Sequence, residues 1–325
     1  MYGKSSLVRG PAIWLSLALF LVALSPVLGA PSWEQLRAHY DYDATLPLNV
    51  KELQTTTLGE CEKTSFTFAA VDGSTVPAVL FLPSGQPSQS LVLFLHGLGG
   101  SKDDARLMAN MLCPQNVAVL AIDARDHGDR KQAGVKLISP DLNRFRQTVI
   151  GTIIDNRRAL DSIASRTDFN PDKIVLVGVS MGGIFGSILA AVEPRIDAAA
   201  LLVAGARWDI LLRSSQHSDA RQLRRNGLLP TTIRRQLAPV EPANFVGHIA
   251  PRPLFLVNGK LDRIITPRSA QALHNAARQP KQIHWYQAGH IGAVLQCMPD
   301  LADWLRRQLA HHEQLAGREV QQYAH

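Results

Sequence analysis

Short, continuously apolar runs recur along this chain at residues 91–95, 117–122, 174–177, 198–203 and 254–257, and no other feature narrows its fold as much. A strand apolar at every position is buried on both faces, and sheets covered on both faces are built from parallel strands joined by helices. The intervening segments at residues 101–112, 145–164 and 182–192 have helical spacing. Strand and helix alternating in this way predict an α/β fold, a mostly parallel doubly wound sheet. Ahead of it, residues 63–70 and 76–82 flank Asp72 and Gly73, the pattern of an antiparallel hairpin. A last strand-like run covers residues 282–286. In such sheets the working site lies beyond the carboxyl ends of the strands.

At 325 residues and 46% apolar, the chain can bury a full core without a disulfide scaffold. A net charge of +7 raises the question of nucleic acid. Lysines and arginines clustered and interleaved with aromatics are missing, so no nucleic-acid partner is expected. At the start, Lys4 and Arg9 precede an apolar stretch at residues 12–24, and Gly29 and Ala30 follow. That order predicts a cleavable signal peptide over residues 1–30 and a secreted or periplasmic protein, although Leu28 is bulkier than the preferred cleavage-site residue. The other reading is an uncleaved anchor. Cys61, Cys113 and Cys297 allow one internal pair at most, and the sequence leaves the choice open. None has metal-ligand spacing, so no metal is expected.

One of the apolar runs ends in GVSMGG, in which Gly178, Ser180 and Gly182 fit G-x-S-x-G between a strand and a helix. Such a turn lifts the serine hydroxyl above the sheet, and the helix behind it offers free N–H groups to a developing anion. A serine hydroxyl needs a base and a group that orients the base; on a strand-turn-helix elbow of this fold class they follow in the chain order serine, acid, histidine. Asp262 follows the run at residues 254–257, and His290 follows the last strand. For the oxyanion, the glycine-rich turn from His96 to Gly100 puts forward the N–H of Leu98, and Met181 N–H follows the nucleophile. Asp209 is the alternative acid, one strand earlier. His284 reads as a packed or surface imidazole, His96 as a structural one. Asp300 and Asp303 read as helix start and solvated face, and His311 and His312 as exposed groups.

Together the HGLGGSKDD turn, the DARDHGDR loop, the GVSMGG elbow, NGKLDRIITP and the AGH histidine resemble the α/β-hydrolase family. Within it they are most similar to dienelactone hydrolase-like and prolyl oligopeptidase-like esterases and peptidases, and DYDATLPLNVKE is similar to a segment preceding the domain in secreted bacterial members. The resemblance implies a carboxylic ester hydrolase working through an acyl-enzyme, with Ser180, His290 and Asp262 as a triad. It implies a small-molecule ester as partner and no organic cofactor. A peptidase or lactone hydrolase of the same fold is the runner-up, and a binding protein reusing the fold without chemistry is the reading from another class. The chain departs from the family at Asp126, where relatives more often carry glycine, which puts the loop's backbone and any substrate role of His127 in question.

The resulting layout is a signal peptide at 1–30, an N-terminal extension at 31–60, a hydrolase domain at 61–310 and a tail at 311–325. A helical lid at about 206–250 is inserted in the domain. The lid is rich in arginine, with Arg207, Arg213, Arg221, Arg224, Arg225, Arg234 and Arg235. They read as a solvated face, with an anionic substrate or a membrane surface as the alternative. Leu211, Leu212, Leu223, Leu228 and Leu229 either line an apolar pocket or fasten the lid.

Overall fold

The apolar runs become the centre of one nine-stranded sheet. The computed structural model describes residues 31–310 apart from 86, 87, 89, 165, 168, 170, 226 and 228. Residues 1–30, read above as a signal peptide, and the tail with His311 and His312 therefore lie outside the described residues, as does Leu228. The strands are β1 (Lys51–Leu58), β2 (Cys61–Ala69), β3 (Thr75–Pro83), β4 (Ser90–Leu95), β5 (Val117–Ile122), β6 (Lys173–Val179), β7 (Ala198–Leu202), β8 (Leu254–Gly259) and β9 (Lys281–Tyr286). Their order is β1-β2-β3-β5-β4-β6-β7-β8-β9. β1, β2, β3 and β5 pair antiparallel in succession, and every pairing from β5 to β9 is parallel. The chain winds outward from β4 in both directions, first to β5 and then to β6. Beyond the carboxyl end of β4 the connections diverge, which opens a crevice there.

The helices are α1 (Trp33–Ala38), α2 (Ala105–Leu112), α3 (Leu142–Ala164), α4 (Met181–Val192), α5 (Trp208–Ser214), α6 (Ser218–Arg225), α7 (Pro230–Gln236), α8 (Pro267–Ala276), α9 (His290–Gln296) and α10 (Met298–Leu309). Alternation along each strand sorts the core into two layers. Leu91, Leu93 and Leu95 of β4 pack with Val149 and Ile153 of α3 and Ile184 and Ile188 of α4. Val92 and Phe94 point the other way, to Met108 and Leu112 of α2 and Leu301 and Trp304 of α10. A strand clad on both faces has no polar side to show, which is why these runs carry no alternation of polarity.

β1 is the strand that the sequence reading does not resolve, because it places residues 51–58 inside the extension. Its residues are mostly exposed on both faces, and its register against β2 shifts between Glu52 and Gln54. Polar, threonine-rich edge strands are held by backbone bonds to one neighbour and leave no apolar pattern to read. The cysteine question is answered by geometry: Cys61 at the start of β2 is bonded to Cys113 just after α2, and Cys297 is free and buried. The bridge closes a loop with a sequence separation of 52. Replacing both bonded cysteines with alanine is expected to lower the free energy of unfolding by about 3–4 kcal/mol through lost loop closure. Urea titration of oxidised and reduced protein checks it, and a difference below about 1 kcal/mol would mean the bridge is a minor contributor.

Candidate active site

Ser180 stands between β6 and α4 with φ 56° and ψ −115°, a backbone conformation that costs an ordinary residue about 1–3 kcal/mol. The turn closes only because its neighbours are small. A Cβ on Gly182 would meet the Leu95 carbonyl oxygen at 2.1 Å, and one on Gly178 would meet the Gly182 carbonyl oxygen at 2.3 Å. Ser180 N–H donates to the Leu202 carbonyl at 2.8 Å, tying the elbow to β7.

The side chains named from sequence order converge here. His290, the first residue of α9, places Nε2 3.0 Å from Ser180 Oγ, and its Nδ1 lies 2.7 Å from Asp262 Oδ2. Asp262 follows β8 and its side chain is fully buried. Its other oxygen, Oδ1, accepts from the backbone N–H groups of Ile264 and Ile265 at 2.8 and 3.0 Å. A carboxylate only accepts, so the imidazole proton sits on Nδ1 and the Nε2 lone pair faces the serine hydroxyl. The loop after β4 passes close by, with a Cβ on Gly97 falling 3.7 Å from Ser180 Cβ. Leu98 in that loop and Met181, the first residue of α4, both line the cavity that Ser180 and His290 face. Met181 N–H has no intrahelical partner at that position.

That cavity has a volume of about 320 Å³. Its walls are apolar almost throughout, with Phe145 of α3, Ile184 and Phe185 of α4, and Trp208, Leu211 and Leu212 of α5. Of the lid leucines, Leu211 and Leu212 line it, Leu223 is buried and Leu229 is 63% exposed. No lid arginine is among the lining residues described. Arg207 and Arg234 instead pair with Asp209, Arg224 donates to the Leu212 and Ser215 carbonyls, and Arg213, Arg221, Arg225 and Arg235 are exposed.

The competing residues are occupied elsewhere. Hydrogen bonds from Arg207, opposed by burial, hold the Asp209 carboxyl below its usual range, and Arg234 adds to the effect. His284 packs on Phe255 with ring centroids 4.7 Å apart. Asp300 lies in the first turn of α10 and accepts from Tyr286, while Asp303 pairs with Arg306. His96 is buried, and burial pushes its pKa down. Its Nε2 accepts from Ala124 N–H at 3.1 Å, which leaves Nδ1 to donate to the Gly97 carbonyl at 2.8 Å. It joins the loop after β4 to the loop after β5. Asp126 adopts φ 65°, so the carboxylate residue keeps the left-handed turn that glycine would make, and its side chain pairs with Arg144. His127 bonds the Arg125 carbonyl and is not among the cavity residues.

The sequence reading gave no role to two groups. Asp123 is fully buried and accepts from Lys102 N–H, Lys102 Nζ and Asp129 N–H, which fastens the two loops above β4 and β5 together. Leu137 and Ile138 line the cavity from the stretch before α3, where polar neighbours hide them. Among the described residues no group of three or more histidine, cysteine, aspartate or glutamate side chains is placed to hold a metal ion.

An elbow serine, a histidine and an aspartate at the carboxyl edge of a doubly wound sheet define a hydrolase-type site. The chain belongs to the alpha/beta hydrolase family, whose model matches residues 92–315. It is similar to the uncharacterized protein YfhR of Salmonella typhi, at 27% identity over 242 residues, covering 71% of this chain and 76% of that one. Esterase YjfP of Escherichia coli strain K12 is 24% identical over 212 residues, covering 62% and 80%. Among solved structures, acetyl xylan esterase 1 from Thermoanaerobacterium sp. JW/SL YS485 superposes with a TM-score of 0.68 at 16% identity, covering 85% of this chain and 92% of that one.

Proposed function

We propose that the protein is an exported serine hydrolase that cleaves carboxylic esters through an acyl-enzyme. The observation that carries this reading is the hydrogen-bonded series Ser180, His290, Asp262 opening on an apolar cavity. Ser180 Oγ attacks the ester carbonyl while His290 Nε2 takes the hydroxyl proton. The carbonyl oxygen, now an anion, turns toward the N–H groups of Leu98 and Met181. As the tetrahedral centre collapses, the bond to the alcohol oxygen breaks and His290 returns its proton to that oxygen. A water then repeats the sequence on the acyl-enzyme, with His290 as base, and releases the acid and free Ser180. Asp262 holds the imidazolium in register throughout. The esterase names among the relatives favour esters over amides. Export is supported by the charged-then-apolar start and by the Cys61–Cys113 bridge, since disulfides persist outside the reducing cytoplasm.

Turnover of p-nitrophenyl butyrate beside an aminoacyl p-nitroanilide tests the assignment. The ester is expected to be cleaved at least about 10²-fold faster in kcat/KM, and a preference for the anilide would reassign the protein as a peptidase.

A further inference from the structure

We propose that the cavity beside Ser180 is the acyl pocket, and that it selects an uncharged, apolar acyl group of about eight to twelve carbons over acetyl. This rests on the ester-hydrolase reading above. Volume supplies the first part of the argument. An apolar cavity of about 150 Å³ accommodates benzene, so on that scale a cavity of this size holds about twelve non-hydrogen atoms. The cavity measures about 320 Å³, and an acetyl group would leave most of its apolar wall without a partner.

Which half of the ester enters follows from where the proton is delivered. His290 Nε2 protonates the leaving alcohol, so the alcohol departs on the His290 side, where Ile291 is 67% exposed. Of the other lining residues, Phe145, Phe185 and Trp208 are 3%, 2% and 4% exposed. An alcohol held among these buried side chains has no exit while the acyl-enzyme waits for water. The group that stays on Ser180 therefore packs among them.

This buried wall is also held in place. Trp208 Nε1 donates to the Val240 carbonyl at 2.7 Å, Trp208 N–H donates to Glu241, and the indole meets the Phe145 ring edge-on at 5.0 Å. Charge adds the last condition. Apart from Ser180 and His290, the polar lining is Ser215 and His217. Ser215 Oγ accepts from His217 N–H, and His217 Nδ1 accepts from Asp219 N–H. No lysine or arginine is among the lining residues described, so an acyl chain ending in a carboxylate has no counter-ion there.

The test is kcat/KM for p-nitrophenyl acetate, octanoate and palmitate with the mature protein, its Ala220→Phe and Leu212→Trp variants, and separate labelling by a small ethyl fluorophosphonate. Ala220 of α6 and Leu212 of α5 both line the cavity, so either larger side chain fills it. Each buried methylene is worth about a two- to fourfold gain, so octanoate is expected to exceed acetate by about 10²-fold or more in the wild type. The octanoate-to-acetate ratio should fall at least about tenfold in either filled variant, and a ratio taken within one preparation does not depend on its folded fraction. Acetate preferred or equal, or ratios unmoved by both variants, in a protein that still labels overturns the acyl-pocket assignment and leaves the esterase standing. A wild-type protein that does not label overturns both.

Discussion

Replacing Ser180 with alanine is expected to lower kcat on p-nitrophenyl esters by about 10⁶-fold and to abolish fluorophosphonate labelling. The loss is large because the hydroxyl facing His290 Nε2 is the group proposed to bond the substrate carbonyl. A second substitution separates chemistry from folding. At φ 56° and ψ −115° any residue with a Cβ is strained, and glycine is not. Ser180→Gly should be as inactive as the alanine variant yet raise the free energy of unfolding by about 1–2 kcal/mol. Thermal and urea unfolding of the two variants, run beside ester turnover, check the pair. A glycine variant less stable than wild type would overturn the strain argument, and a variant retaining a tenth of the activity would remove Ser180 from the nucleophile's role.

Why the elbow was legible in the sequence while the pocket was not is a matter of range. The elbow is local: an apolar strand, a serine with glycines two residues to either side, and a helix follow in one stretch, and Gly178 and Gly182 are forced by contacts that a Cβ would break. Asp262 and His290 were reachable because each follows an apolar or strand-like run, and chain order then restricts the choice. The parallel strands were legible for the same reason, since burial on both faces writes a continuous apolar run. The cavity is different. Phe145 and Ile138 come from α3 and a connecting stretch with polar neighbours, Trp208 stands between Arg207 and Asp209, and Leu211 and Leu212 could be read only as either lining a pocket or fastening a helix. β1 stayed hidden because its ladder is made by backbone groups. The Cys61–Cys113 pairing depends on β2 and the end of α2 meeting on one face of the sheet, which spacing alone does not encode.

The orientation of the imidazole yields the second large effect. Asp262→Asn is expected to cut kcat by about 10⁴-fold with the fold intact. The magnitude follows from the bonds that Asp262 already makes. Oδ1 accepts from two backbone donors, Ile264 N–H and Ile265 N–H, so an asparagine must put its carbonyl oxygen there. Its NH₂ group then occupies the Oδ2 position, 2.7 Å from His290 Nδ1, and donates to it. A nitrogen that accepts cannot carry the proton, so the proton moves to Nε2 and the lone pair that should receive the Ser180 proton is lost. Asp209→Asn makes the contrasting control. That carboxylate is bonded to Arg207 and Arg234 of the helical stretch at 206–250, so its loss should loosen that stretch and change kcat by less than about tenfold. The pH profile gives the tautomer its own readout: turnover by Asp262→Asn should recover partially at alkaline pH, where hydroxide can remove the serine proton without the imidazole. A larger loss from Asp209→Asn than from Asp262→Asn would move the orienting acid to the lid, and the two backbone bonds to Asp262 would then serve only to hold the turn after β8.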